Sequence, residues 1–171
     1  MAESVAEVST ARAEVVRDFA RSELFERTFS EGMELVEETA AYLDGEGRRD
    51  SKLLSRAGAL SYAGESMRLT TRLMQVASWL LVQRAIREGD MDPREACLAR
   101  YRIGAQSVCQ GESGEGLEEM PSLLVDLLGR SARLYERVLH LDRRMFLDEE
   151  VTEQSHPVRS QLERLQAAFG R

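Results

Sequence analysis

Few residues in this chain have the chemistry for catalysis or metal binding. There are two histidines, His140 and His156, and two cysteines, Cys97 and Cys109. Glu136 and His140 lie one helical turn apart. A di-iron bundle, however, requires two Glu-x-x-His pairs and two further inward carboxylates, and this chain offers one imperfect half. His140 therefore reads as an ordinary helix residue, and His156 lies beside Pro157 in a polar stretch. The cysteines are too far apart for a CxxC pair, and with the histidines they give no zinc spacing. No local signature supplies Cys97 with a base, so a buried structural thiol is preferred to a nucleophile. Gly111-Glu-Ser-Gly-Glu-Gly resembles a phosphate loop only in its glycines, since it follows no strand, lacks the lysine and carries glutamates that repel phosphate. Arg68 and Arg72 lie one turn apart beside Thr70 and Thr71. They form either a patch for an anion or acidic partner or ion pairs with the acidic segment before them, and the second is preferred. The expectation is that the chain has no catalytic residues, no metal site and no cofactor, and is not an enzyme.

The elements that carry these residues are helical. The 171 residues are 43% hydrophobic, 31% charged and only 6% aromatic, with three prolines. That is enough for one domain with a core and too little turn and strand signal for an all-β fold. No 18-residue apolar run is present, so no membrane insertion is expected. The first 20 residues lack the apolar centre of a secretory signal, and two unpaired cysteines fit a reducing cytoplasm. A net charge of −7 argues against direct binding to nucleic acid. Divided by segment, residues 22–46 carry eight acids against Arg27, and residues 47–87 carry eight bases against Asp50 and Glu65. Opposite signs on neighbouring segments fit either an antiparallel hairpin with matched flanks or a chance split between solvated faces.

The predicted architecture is all-α: a small antiparallel bundle of three long helices plus a short one, with a flexible acidic loop and a C-terminal tail. Residues 1–18 read as a mobile arm. A helix over 19–44 has Phe25, Phe29, Gly32, Val36, Ala40 and Leu43 on one face and stops at Gly45-Glu46-Gly47 in the left-handed conformation. Ser51 is the expected N-cap of a helix over 52–88 that ends at Gly89. Its seam is regular: Leu53, Leu60, Met67, Met74 and Leu81 are seven apart, and Ala57, Gly64, Thr71, Ser78 and Ala85 fill the alternate positions. A second stripe, Leu69, Leu73, Val76 and Leu80, makes the later half apolar almost all round. Its cover is either a second subunit, the preferred reading, or the monomer's own core. A short helix spans 93–103, a flexible acidic loop 104–120, and a last helix 121–147 with Leu124, Leu127, Ser131, Leu134, Val138, Leu141 and Met145 on one face. The tail, 148–171, has Val158, Leu162, Leu165 and Phe169 on one side and reads as loose until it meets a partner.

Two strings carry more than periodicity. Gly-Met-Glu-Leu-Val-Glu-Glu-Thr-Ala-Ala-Tyr-Leu-Asp-Gly (32–45) and Glu-Ser-Met-Arg-Leu-Thr-Thr-Arg-Leu-Met-Gln-Val-Ala-Ser-Trp-Leu-Leu (65–81) resemble the RcdA family of alphaproteobacteria, the regulators of CtrA degradation. The resemblance implies a dimeric helical bundle without enzymatic activity. It implies an adaptor that delivers cell-cycle regulators, including CtrA, to the ClpXP protease primed by the response regulator CpdR, with the cyclic-di-GMP effector PopA as a further partner. A transient place at a cell pole goes with it. The tail is then the expected protease tether. The competing reading is a small bundle enzyme or ligand-binding protein with a pocket between helices, which calls for titratable groups on the inner seam.

Overall fold

The computed structural model describes residues 2–111 and 117–146. Among them the secondary structure is entirely helical: α1 (Ala2–Ala20), α2 (Glu23–Asp44), α3 (Glu46–Asp50), α4 (Arg56–Glu88), α5 (Pro93–Ala96), α6 (Gln106–Cys109) and α7 (Ser122–Phe146). Short 3-10 turns lie at Ser51–Leu53, Ala99–Tyr101 and Leu117–Glu119. The all-α bundle expected from the sequence is therefore present. The tail with Val158, Leu162, Leu165 and Phe169 lies outside the described residues.

The helix ends have local causes. α1 and α2 are separate because Ser22 caps the second. Its Oγ accepts the N–H of Phe25 at 3.1 Å and donates to the carbonyl of Phe19 at 2.7 Å. Ser55, not Ser51, caps α4, with its Oγ accepting the N–H of Gly58 at 3.1 Å. Ser51 instead belongs to a 3-10 turn that connects α3 to α4. Gly89 ends α4 in the left-handed conformation (φ 87°), as expected, but Gly45 ends α2 without it (φ −108°). The helix expected over 93–103 is only α5 and a 3-10 turn, because Leu98 is extended between them.

Residues 2–18 of the expected mobile arm lie within α1, whose Ala13, Val16 and Ala20 are buried. The ring of Phe19 sits 5.6 Å from that of Trp79, which ties α1 to α4. The apolar positions of α1 were too sparse to show as a stripe, although three of them suffice to dock it.

α2 runs antiparallel to α4 and brings Gly32 against Leu80 and Val76. A Cβ on Gly32 would stand 2.6 Å from Cδ1 of Leu80, so the two helices approach closely because that side chain is absent. The buried face of α2 is Phe25, Thr28, Gly32, Leu35, Thr39 and Tyr42 rather than the expected set, and Ala40 is exposed. Threonine disguised that face. Thr28 enters the interior with its hydroxyl bonded to the carbonyl of Leu24 at 2.8 Å.

α7 runs parallel to α4, not antiparallel. Arg72 meets Leu128 and Ser131, and further along Trp79 meets Asp142. Its expected face is buried except for Leu141, which is half-buried against the core. The charge-matched hairpin is only partly present. Glu26 of α2 pairs with Arg87 of α4, whereas Glu31 and Glu38 pair with Arg137 and Arg130 of α7 at 2.5 and 2.7 Å.

Candidate functional site

α4 presents two opposite faces, and each differs from what its sequence suggests. The inward face is Glu65, Leu69, Arg72, Leu73, Val76, Trp79, Leu80, Gln83 and Ile86, all buried. The stripe read as a subunit interface, Leu69, Leu73, Val76 and Leu80, is thus the monomer's own core, and that expectation is corrected. Positions 65, 69, 72, 76, 79, 83 and 86 form a seam spaced four and three. Its charged and amide members, Glu65, Arg72 and Gln83, break the apolar pattern that would mark it in the sequence.

Arg72 explains why that seam tolerates charge. Its Nε and Nη2 donate to the carbonyl of Cys109 at 3.1 and 2.6 Å, and Nη1 donates to the carbonyl of Leu128 at 3.1 Å and to Oγ of Ser131 at 3.0 Å. Burial pushes the pKa of its guanidinium down, but four hydrogen bonds to three acceptors satisfy it. Arg68 pairs with Glu65 at 3.4 Å and donates to the carbonyl of Gly111. Arg72 makes none of these bonds to α2, and both arginines reach the Cys109–Gly111 segment, so an inward clamp stands where an open anion patch was one expectation. The clamp holds one side of the expected acidic loop, where Gly104 N–H also donates to Gln75 Oε1 at 3.1 Å. Residues 104–111 are therefore anchored, and 112–116 lie outside the described residues.

The chemical candidates are dispersed. Glu136 and His140 are exposed on α7. Cys97 donates to the carbonyl of Pro93 at 3.3 Å, and burial pushes both its thiol and that of Cys109 upward, away from the reactive thiolate. Among the described residues no group of three or more His, Cys, Asp or Glu is placed to hold a metal ion. A recess of about 220 Å³ between the start of α2 and the end of α4 is lined by Phe25, Glu26, Phe29, Arg84, Arg87 and Glu88. Its cations already have partners, with Arg87 on Glu26 and Arg84 on Glu88 at 2.8 Å and over the Phe29 ring at 5.2 Å.

The outward face of α4 is the regular heptad stripe. Leu60, Met67, Met74 and Leu81 are 71%, 72%, 63% and 52% exposed, whereas Leu53, expected in the same stripe, lies in the 3-10 turn before α4 and is 85% exposed. The heptad signature was legible and says that a helix packs here, but it does not say whose. In this chain no described element covers it.

Residues 16–169 match the family described as "Protein of unknown function (DUF1465)". The crystal structure of RcdA from Caulobacter crescentus CB15 is similar, with 65% sequence identity over 77% of this chain and 98% of that one, and a TM-score of 0.64. This chain belongs to the RcdA family. No curated protein matches it. The two strings at 32–45 and 65–81 that carried the resemblance fall on α2 and α4. In this RcdA-family chain they build the Gly32–Leu80 approach, the Arg72 clamp and the uncovered outward stripe. Among the described residues no helix is long and apolar enough to cross a membrane.

Proposed function

We propose that this chain is a non-enzymatic adaptor that delivers cell-cycle regulators, the response regulator CtrA among them, to the ClpXP protease. The observation that carries this reading is the 65% identity to RcdA across 98% of that chain. CpdR would prime the protease and the cyclic-di-GMP effector PopA would join cargo to the adaptor. The protein would work in the cytoplasm, transiently at a cell pole, and as a homodimer. The helical body supplies a rigid platform. Residues 148–171, with Val158, Leu162, Leu165 and Phe169, supply the tether. Weak contacts joined on one scaffold gain through effective concentration, so no single surface need bind tightly.

The test is a reconstituted degradation assay with ClpXP, CpdR, PopA, cyclic-di-GMP and CtrA. Adding the full chain should accelerate loss of CtrA, and a chain ending at Asp148 should keep its helical spectrum but not deliver. An unchanged rate with the full chain rejects the adaptor reading. Normal delivery by the truncated chain rejects only the role of the tail.

A further inference from the structure

The corner between α2 and α4 concentrates positive charge in an acidic protein. Residues 48–56 read Arg-Arg-Asp-Ser-Lys-Leu-Leu-Ser-Arg and include the only lysine of a chain whose net charge is −7. Arg48, Arg49, Lys52 and Arg56 are all exposed. Arg48 has Asp44 at 3.3 Å, but that pair is open to solvent and contributes little. Among the described residues Arg49, Lys52 and Arg56 make no ion pair. By contrast, Arg87, Arg130 and Arg137 each cross to a glutamate of α2.

We propose that this corner is a docking site for a short acidic segment of a partner protein. The segment sets its carboxylates on Arg49, Lys52 and Arg56 and an apolar side chain on Leu53. The adaptor reading makes no use of this surface, so the inference stands whether or not that reading holds. Three observations support it.

The first is placement. Residues 46–53 form one helical run in which α3 passes into a 3-10 turn, so Arg49, Lys52 and Leu53 lie three and four apart on one side. Leu53 is 85% exposed, whereas Leu54 packs on the core and fixes the run from beneath. A leucine held in water among cations suits a ligand that combines acidic and apolar groups.

The second is rigidity. A Cβ on Gly47 would stand 2.5 Å from Oη of Tyr62 and 2.8 Å from Cε1 of Tyr42, so α3 lies directly on both rings. The hydroxyl of Tyr42 donates to Oδ2 of Asp50 at 3.4 Å, which turns the one acid of the run toward a tyrosine. At the other end Oγ of Ser55 donates to Oε2 of Glu119 at 2.8 Å. A fixed surface of this kind loses little freedom when a ligand binds.

The third is the class of anion. Glu119 comes from 64 residues away in the chain and already sits beside Arg56, so the corner receives acidic polypeptide. Its borders are acidic: Asp44 and Glu46 are exposed on one side and Glu118 on the other. A nucleic acid or an anionic membrane carries its charge past the corner and meets these carboxylates. A peptide whose acidic run ends there does not.

Lys52 makes the test direct, because it is the only side-chain amine. The full chain is mixed at low salt with the N-acetylated peptide Glu-Asp-Leu-Glu-Glu-Asp and a carbodiimide, and mass spectrometry locates the amide formed. Coupling should fall on Lys52 in preference to the terminal amine. Arg49→Ser with Arg56→Ser keeps Lys52 and should lower coupling at least ~10-fold with unchanged circular dichroism. Arg143→Ser with Arg144→Ser removes the same charge from the exposed end of α7 and should couple as wild type does. Equal loss in the two double variants means that bulk charge steers the peptide, and it overturns the site. Coupling that survives without Arg49 and Arg56 overturns it too. A wild-type chain that does not couple overturns an external partner. Coupling restored by Glu112→Gln, Glu115→Gln and Glu118→Gln together would then identify the chain's own acidic segment as the occupant. Fluorescence polarisation with the labelled peptide, competed by an oligothymidylate or by phosphatidylserine vesicles, checks the class of ligand. Either competitor binding more tightly than the peptide, and losing that advantage without Arg49 and Arg56, overturns an acidic peptide as the ligand.

Discussion

The indole N–H of Trp79 donates to Oδ1 of Asp142 across 3.0 Å, joining α4 to the last turns of α7. The same carboxylate accepts Nε of Arg102 at 2.9 Å on both oxygens and Nη2 at 2.7 Å, and the guanidinium lies 4.4 Å from the centre of the Phe146 ring. Asp142 is 2% exposed, so its charge is tolerated because every lone pair in reach is used. One acidic residue thus locks two helices and the crossing segment between them.

Removing that carboxylate leaves a buried indole N–H and a guanidinium unanswered. Asp142→Ala should lower unfolding stability by about 2–4 kcal/mol, less than for a fully enclosed pair because Arg102 is partly exposed. Asp142→Asn keeps an acceptor for Trp79 and should recover about 1 kcal/mol of that loss. Urea denaturation measures both. A midpoint for Asp142→Ala equal to wild type would show that the network adds no stability.

Arg72 makes a different prediction, because its partners are mainly backbone carbonyls of the crossing segment and α7. Arg72→Met fills similar space but cannot donate. Amides of residues 106–111 should then exchange with solvent at least ~10-fold faster, while those in the middle of α2 change little. Arg72→Lys should resemble Arg72→Met, since a single ammonium cannot span the Cys109 and Leu128 carbonyls as a planar fork does. Full protection in the lysine variant would mean that charge alone holds the segment.

Gly32→Ala sets helix propensity against space. Alanine favours a helix interior by about 1 kcal/mol over glycine. Here its Cβ must displace Leu80, which is fully buried between α2 and α4. Overpacking of this kind costs about 1–3 kcal/mol, so the net change should be destabilising. A raised melting temperature would show that Leu80 has room to turn.

The bundle was legible in sequence because helix length and caps are local. Gly89, Pro93 and the face of α7 needed no knowledge of the partner. The inner face of α4 was not, since Glu65, Arg72 and Gln83 interrupt its apolar periodicity. The burial of Arg72 depends on acceptors such as the Cys109 carbonyl, 37 residues away in the chain, and no local pattern encodes that contact. The outward stripe was the cleaner signal of the two because a heptad intended for another helix need not accommodate polar partners.

Alkaline pH should loosen the same region. The hydroxyl of Tyr135 donates to the carbonyl of Gly104 at 2.8 Å, and burial pushes its pKa up to about 12. In the unfolded chain a tyrosine ionises near 10. A raised folded value favours the neutral, folded form, so this contribution is complete below pH 10 and is lost as pH rises to about 12. Two units correspond to about 2–3 kcal/mol. Tyr135→Phe should be less stable at pH 8, where the Gly104 carbonyl loses its donor, yet should lose less melting temperature between pH 10 and 12 than wild type does. Parallel slopes in that window would exclude Tyr135 as the responsible group. Tyr42, whose pKa burial also raises, would then be the group to replace with phenylalanine.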